Sequence, residues 1–203
     1  VLYNQERAEG AHLAAKKMDV MLSAHAPYYV NFNSSSVATR EKSEEWVLKA
    51  QRAAEDFGAW MVVVHAATYG EVDGERTTAK VISSLKRIRK AMVDESLSAF
   101  IGLETMGKKA AWGTVPEIVS VMEQVEGVLP VIDFAHLQAR GPELDRDRLD
   151  QIFGSLPNMP RLHCHISGIE YTEAGERKHL RLGQGLDHQM VLSSLLGSKI
   201  DST

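Results

Sequence analysis

The feature that most constrains this chain is a repeated alternation. Short β-branched and apolar runs alternate with longer stretches of helical period, the pattern of consecutive βαβ units that build a parallel sheet. Strands are expected over 20–25 (VMLSAH), 60–65 (WMVVVH), 99–104 (AFIGLE), 129–133 (LPVID) and 161–165 (RLHCH). Val1 to Tyr3 would be the stub of another. Helices are expected over 5–18, 39–57, 77–94, 116–125, 145–155 and 187–196. Val81, Leu85, Ile88 and Met92 share one face of the third, and Pro116 suits the first turn of the fourth. No low-complexity linker interrupts residues 1–203, so one domain is expected. A closed eight-stranded barrel takes about 250 residues, with a lower bound of roughly 200. The chain is then either an open α/β sheet or a (β/α)8 barrel whose first unit and last strand lie outside this sequence.

Composition narrows the setting. With 44% apolar residues the chain can fill one sizeable core. Its apolar runs, such as Met61 to Val64, fall far short of the ~20 residues of a membrane span. There is no basic-then-apolar leader, and a lone Cys164 excludes an internal disulfide, so a soluble, cytoplasmic protein is the expectation; a monomer is expected as well. A net charge of -4 argues against a generally basic nucleic-acid binder. It leaves room for a local basic face, for which Lys108, Lys109, Arg140, Arg177, Lys178 and Arg181 are the candidates; such residues are equally common in ordinary exposed loops.

Alternate strand residues share a face, so the inward row of each strand can be read back from its last polar residue. The rows are Met21, Ser23, His25; Met61, Val63, His65; Phe100, Gly102, Glu104; Leu129, Val131, Asp133; and Arg161, His163, His165, which leaves Cys164 outward as a small buried residue. Every row ends in a side chain able to bind metal. In parallel β/α folds active sites lie at this C-terminal edge. Imidazole and carboxylate together suit zinc first, and also manganese or iron. The donors exceed the needs of one tetrahedral ion, so two or three ions are expected, with Glu104 bridging a pair. Each residue alone has a plainer reading. A strand-end histidine is often simply hydrogen-bonded, Glu104 could pair with Lys108 or Lys109, and Asp133 and His136 could form an acid–imidazole pair. His12 and His188 fall on expected helices and read as surface or packing.

Six ordered motifs sharpen this: HAPYYVN (25–31), VVVHAATYG (62–70), GLETMGKK (102–109), VIDFAHLQARG (131–141), LHCHISG (162–168) and HLRLGQG (179–185). Together they resemble endonuclease IV, the zinc-dependent apurinic/apyrimidinic endonucleases among the xylose isomerase-like barrels. The resemblance implies three zinc ions and cleavage of double-stranded DNA 5′ to abasic sites, with Glu104 as the catalytic carboxylate. It implies His25, His65 and Glu104 as ligands of one ion, and Glu104, Asp133 and His163 at a second. His136 and His179 would serve a third. Tyr28 matches an aromatic that enters the DNA at the lesion, and Asn31, Arg140 and Arg177 are placed on the substrate side. Two departures stand out. Arg177 occupies the position where the family has a third-site acid, with Glu176 one place further back, and the family's last glutamate ligand has no counterpart before Thr203. A metal-dependent sugar isomerase or epimerase on the same barrel remains open, as does a non-catalytic DNA- or ligand-binding barrel.

Overall fold

A computed structural model describes residues 4–159 and 161–198 of the chain; the stub at Val1 to Tyr3 lies outside them. The elements alternate as the sequence suggests. Helix α1 (Gln5–Lys17) leads into β1 (Leu22–His25), α2 (Val37–Phe57), β2 (Ala59–Val64) and the two-residue β3 (Ala67–Thr68). Then follow α3 (Gly74–Asp94), β4 (Phe100–Glu104), β5 (Ala111–Trp112), α4 (Val115–Met122), β6 (Val128–Asp133), α5 (Phe134–Arg140) and α6 (Arg146–Ser155). The chain closes with β7 (His163–His165), β8 (Gly168–Thr172), β9 (Gly175–Leu180) and α7 (His188–Gly197).

Local chemistry sets the helix boundaries. Asp73 caps α3 by accepting from the Arg76 N–H. Thr114 and Glu117 form a reciprocal capping box on α4, with Pro116 in its first turn. The α3 stripe of Val81, Leu85, Ile88 and Met92 is buried, each such side chain contributing roughly 1.5–3 kcal/mol relative to exposure.

β1, β2, β4, β6 and β7 form one parallel sheet in that order. Strictly sequential order, without the reversal that marks a doubly wound open sheet, is the order of a β/α barrel. The architecture is therefore a partial parallel barrel with helices outside. On the outer face Val62, Val64, Ile101 and Leu103 join the helix-side core. On the inner face Met61, Val63, Leu129 and Val131 form a small apolar floor. Gly102 makes that floor possible, since a Cβ there would lie 2.6 Å from Met61 Sδ and 2.7 Å from Val131 Cγ2.

Register then sets the height of each inward residue. Val63 pairs with Gly102, Glu104 with Val131, and Val131 in turn with His163, while Asp133 pairs with His165. Two antiparallel additions were not evident from periodicity: the β3–β5 pair, and the β8–β9 hairpin, which packs on α5.

Candidate metal centre

The C-terminal strand ends and the loops beyond them enclose a cavity of about 560 Å³ whose lining includes His25, His65, Glu104, Asp133, His136 and His165. Glu104 is its hub. Its carboxylate is only 4% exposed. Oε2 accepts from His25 Nε2 at 3.2 Å and His65 Nε2 at 2.7 Å, and Oε1 from His165 Nδ1 at 2.8 Å. Three imidazoles therefore surround one buried carboxylate, and among the described residues no lysine is its partner.

The hydrogen bonds on the far ring nitrogens reveal how these histidines are oriented. His25 Nδ1 donates to the Ala26 carbonyl at 2.7 Å. Carbonyl and carboxylate oxygens at its two nitrogens favour the imidazolium form of the His25 ring. Burial lowers its pKa, but Glu104 and the Ala26 carbonyl outweigh that and leave it raised. His165 is likewise raised, by Glu104 against burial. For Glu104, burial pushes the pKa up, yet bonds from His165, His25 and His65 carry it well below the usual carboxylate range. Asp133 is raised by burial, partly offset by His136. Its Oδ1 accepts from the His136 backbone N–H and caps α5, and its Oδ2 lies 3.6 Å from His136 Nδ1.

His136 Nδ1 donates to the Thr105 carbonyl at 2.8 Å, leaving Nε2 facing His179 Nε2 at 3.2 Å. His179 Nδ1 is in turn held by Ser167 Oγ at 2.7 Å. Outer nitrogens bound to protein and inner nitrogens converging is the arrangement by which metal-binding histidines are oriented. Among the described residues three sets bring donor atoms within 4.8 Å of one another: His25–His65–Glu104, Glu104–Asp133–His165, and Asp133–His136–His179. The donor set fits divalent ions that accept imidazole and carboxylate.

Several expected site residues lie elsewhere. His163, expected as a second-ion ligand, is level with the buried Val131, one layer beneath the Asp133–His165 pair. Its ring packs on Trp60 with centroids 5.9 Å apart, and burial lowers its pKa. The same strand face carries His165 two residues on, and this is the ring that reaches Glu104. Asn31 is engaged within the loops, donating to Thr68 Oγ1 and accepting from the Asn33 N–H. Arg140 is turned inward. Its guanidinium donates to the carbonyls of Met106, Lys108 and Ala111 and to the Tyr69 hydroxyl, and so gathers the loop after β4. Arg177 pairs with Glu170 at 2.6 Å, and Lys178 reaches the same carboxylate at 3.1 Å. Tyr28 lines the cavity mouth and is 75% exposed. Of the two helix histidines, His188 opens α7 with a buried Nδ1. Cys164 is half-buried against the helix-side core, and its desolvation with Asp133 nearby pushes the thiol up to about 12, so it is an inert packing residue.

Sequence reasoning gave no site role to Glu176, Thr105 or Ser167. Glu176 Oε2 lies 3.4 Å from His136 Nε2 and Oε1 lies 3.6 Å from His179 Nε2.

Fold and site together define a β/α barrel with a histidine–carboxylate cluster able to hold divalent ions. The chain belongs to the xylose isomerase-like TIM barrel family, which it matches over residues 2–202. It is 29% identical over 187 residues to an uncharacterized protein of Methanocaldococcus jannaschii, covering 87% of this chain and 67% of that one. It is 28% identical over 177 residues to the probable endonuclease 4 of Methanosphaera stadtmanae, covering 83% of this chain and 62% of that protein. Among solved structures, a D-tagatose 3-epimerase-like protein superposes with TM-score 0.76 at 19% identity, over 98% of this chain and 74% of that one. Endonuclease IV from Thermus thermophilus superposes with TM-score 0.67 at 17% identity, over 92% and 69% respectively. These structural likenesses show the shared barrel. No helix among the described residues is long and apolar enough to cross a membrane.

Proposed function

We propose that this chain carries the metal-binding face of a phosphodiesterase of the endonuclease IV type, a zinc-dependent hydrolase cutting double-stranded DNA 5′ to abasic sites. One observation carries the reading. The Glu104 carboxylate is shared by His25, His65 and His165, and a separate His136–His179 pair stands beside it. That is more imidazole than one ion requires. Divalent ions, when bound, supply a water of lowered pKa and neutralise charge on a phosphodiester.

The chain's own residues do the rest. Glu104, anionic and buried, fixes three imidazoles toward one point. Asp133 caps α5 and so ties His136 to the same rim. Tyr28, exposed at the cavity mouth, is placed to stack on a base or fill the gap of a missing one. Lys108 lines the cavity and offers a phosphate contact.

The test is cleavage of a duplex containing one abasic site by zinc-reconstituted protein. Cutting on the 5′ side, lost in Glu104→Gln, supports the proposal; a duplex left intact by the zinc-loaded wild type overturns it.

A second reading draws on Glu104, Asp133 and His165, which alone could serve one ion in a sugar epimerase. It leaves the bonds of His25 and His65 to Glu104 without a catalytic purpose. Epimerisation of a ketose without DNA cleavage would favour it. Weak metal retention with preserved DNA binding would favour a non-catalytic barrel.

A further inference from the structure

The β8–β9 hairpin contains an irregularity beside the site. Glu170 pairs with Lys178 and the next residue, Tyr171, pairs with Glu176, so two steps on β9 oppose one step on β8. Arg177 is the extra residue of a β-bulge. In a regular strand, residues three apart point to opposite faces. The bulge cancels one residue of the alternation, so Glu176 and His179 behave as an i, i+2 pair. The charges show the same division. Arg177 and Lys178 both clasp Glu170 on one face, while Glu176 and His179 turn to His136 on the other.

A second contact fixes the height of Glu176. Its N–H donates to the Gly107 carbonyl at 3.1 Å. A Cβ on Gly107 would lie 2.8 Å from both Glu176 Cβ and His136 Cδ2, so only glycine permits this approach.

From this geometry we infer that Glu176, delivered by the bulge at Arg177, is the carboxylate completing a cation site with His136 and His179, which leaves Asp133 to the Glu104 centre. The separations among the three groups are 3.2, 3.4 and 3.6 Å. Ligands at about 2.0–2.1 Å from a tetrahedral ion stand about 3.3–3.4 Å apart; with Oε2 toward His136 and Oε1 toward His179, the carboxylate faces both imidazole nitrogens at close to that spacing. Asp133 fits less well. It approaches His136 at Nδ1, the nitrogen already bonded to the Thr105 carbonyl, rather than at the inward Nε2. The inference rests on the metal-binding reading of the barrel but not on the choice of substrate.

The experiment counts ions. Apo-protein is titrated with Zn2+, and separately with Co2+ to record the visible absorption of each site, for the wild type, Glu176→Gln, Asp133→Asn and a variant with Arg177 deleted. Folding of each is checked by circular dichroism. Glu176→Gln should bind one ion fewer, or hold that ion at least about 100-fold more weakly, with the Glu104 centre's cobalt spectrum unchanged. Deletion of Arg177 should keep the ion, because Glu176 and His179 then become true i, i+2 neighbours on an unbulged strand. If Glu176→Gln keeps the wild-type count and affinity, or if Asp133→Asn alone abolishes this ion, the assignment is overturned. Failure of DNA cleavage with the ion count intact would instead count against the proposed function and leave Glu176 in place.

Discussion

Replacing Glu104 by glutamine is the sharpest test of the centre, because the carboxylate is hub to three imidazoles. In metal-free protein His25 and His165 carry raised pKa values and Glu104 a depressed one, so at pH 5 the cluster contains protonated rings around a buried anion. Removing only the anion leaves buried like charges unpaired, which costs about 3–5 kcal/mol in fully buried pairs. The His25 and His165 side chains are 39% and 32% exposed, so solvent screening moves the figure to the low end, about 3 kcal/mol. As pH rises and the rings lose their protons, glutamine can still hydrogen-bond to them, so the cost falls toward about 1 kcal/mol, and it should be smaller at pH 8 than at pH 5. Urea melts of apo wild type and Glu104→Gln at the two pH values measure this difference. Zinc affinity should fall by more than about 100-fold, the upper range for loss of an outer partner, because the carboxylate belongs to two of the three donor sets. An equal stability cost at pH 5 and pH 8, or wild-type zinc retention after dialysis, would refute the hub role.

Three further outcomes are expected. His165→Ala should lose metal, whereas His163→Ala should retain it and lose only packing against Trp60; equal retention by both, measured by metal analysis, would contradict the assignment of His165 to the Glu104 centre. The raised His25 and His165 pKa values make their pairing with Glu104 stabilising below the unfolded histidine value of 6.5 and progressively lost as pH rises through the folded values; the depressed Glu104 contribution persists above its unfolded value of 4.5. Zinc must displace those ring protons, so calorimetry at about pH 6.5 in two buffers of different ionisation enthalpy should register proton release, and affinity should climb with pH. Gly102→Ala should destabilise by about 1–3 kcal/mol through overpacking against Met61 and Val131, and an unchanged melting temperature would show that the floor can yield.

How far the sequence reached depended on whether a residue's role was set by periodicity or by tertiary approach. The strand rows located His25, His65, Glu104, Asp133 and His165 at one rim because alternation is local. Choosing between His163 and His165 was not local. Both lie on one face of the same strand; the register sets Glu104 level with Val131 and His163 and sets Asp133 level with His165, and only the ring contacts, His165 on Glu104 and His163 on Trp60, separate the two. Glu176 was hidden for a related reason: the bulge at Arg177 breaks the alternation, and no residue type announces it. Helix α5 was missed because it begins directly at the end of β6, with Asp133 serving both as final strand residue and as cap, and is buried from Phe134 to Ala139. A helix covered on nearly all sides has no amphipathic stripe to detect. Arg140 looked like a substrate contact until three carbonyls of a distant loop converged on it.

That inward turn of Arg140, and the pairing of Arg177 and Lys178 with Glu170, change the counterion balance of any complex with a polyanion. Six rim cations could be counted along the chain, but only Lys108, Lys109 and Arg181 are without a carboxylate or carbonyl already in hand among the described residues. If each of the three released one condensed counterion from duplex DNA, the logarithmic salt slope of binding would be about −2.7 rather than the roughly −5.4 of all six. Association would then be weakly salt-dependent, and recognition would rest on the shape of the cavity and the groups within it more than on long-range attraction to the backbone.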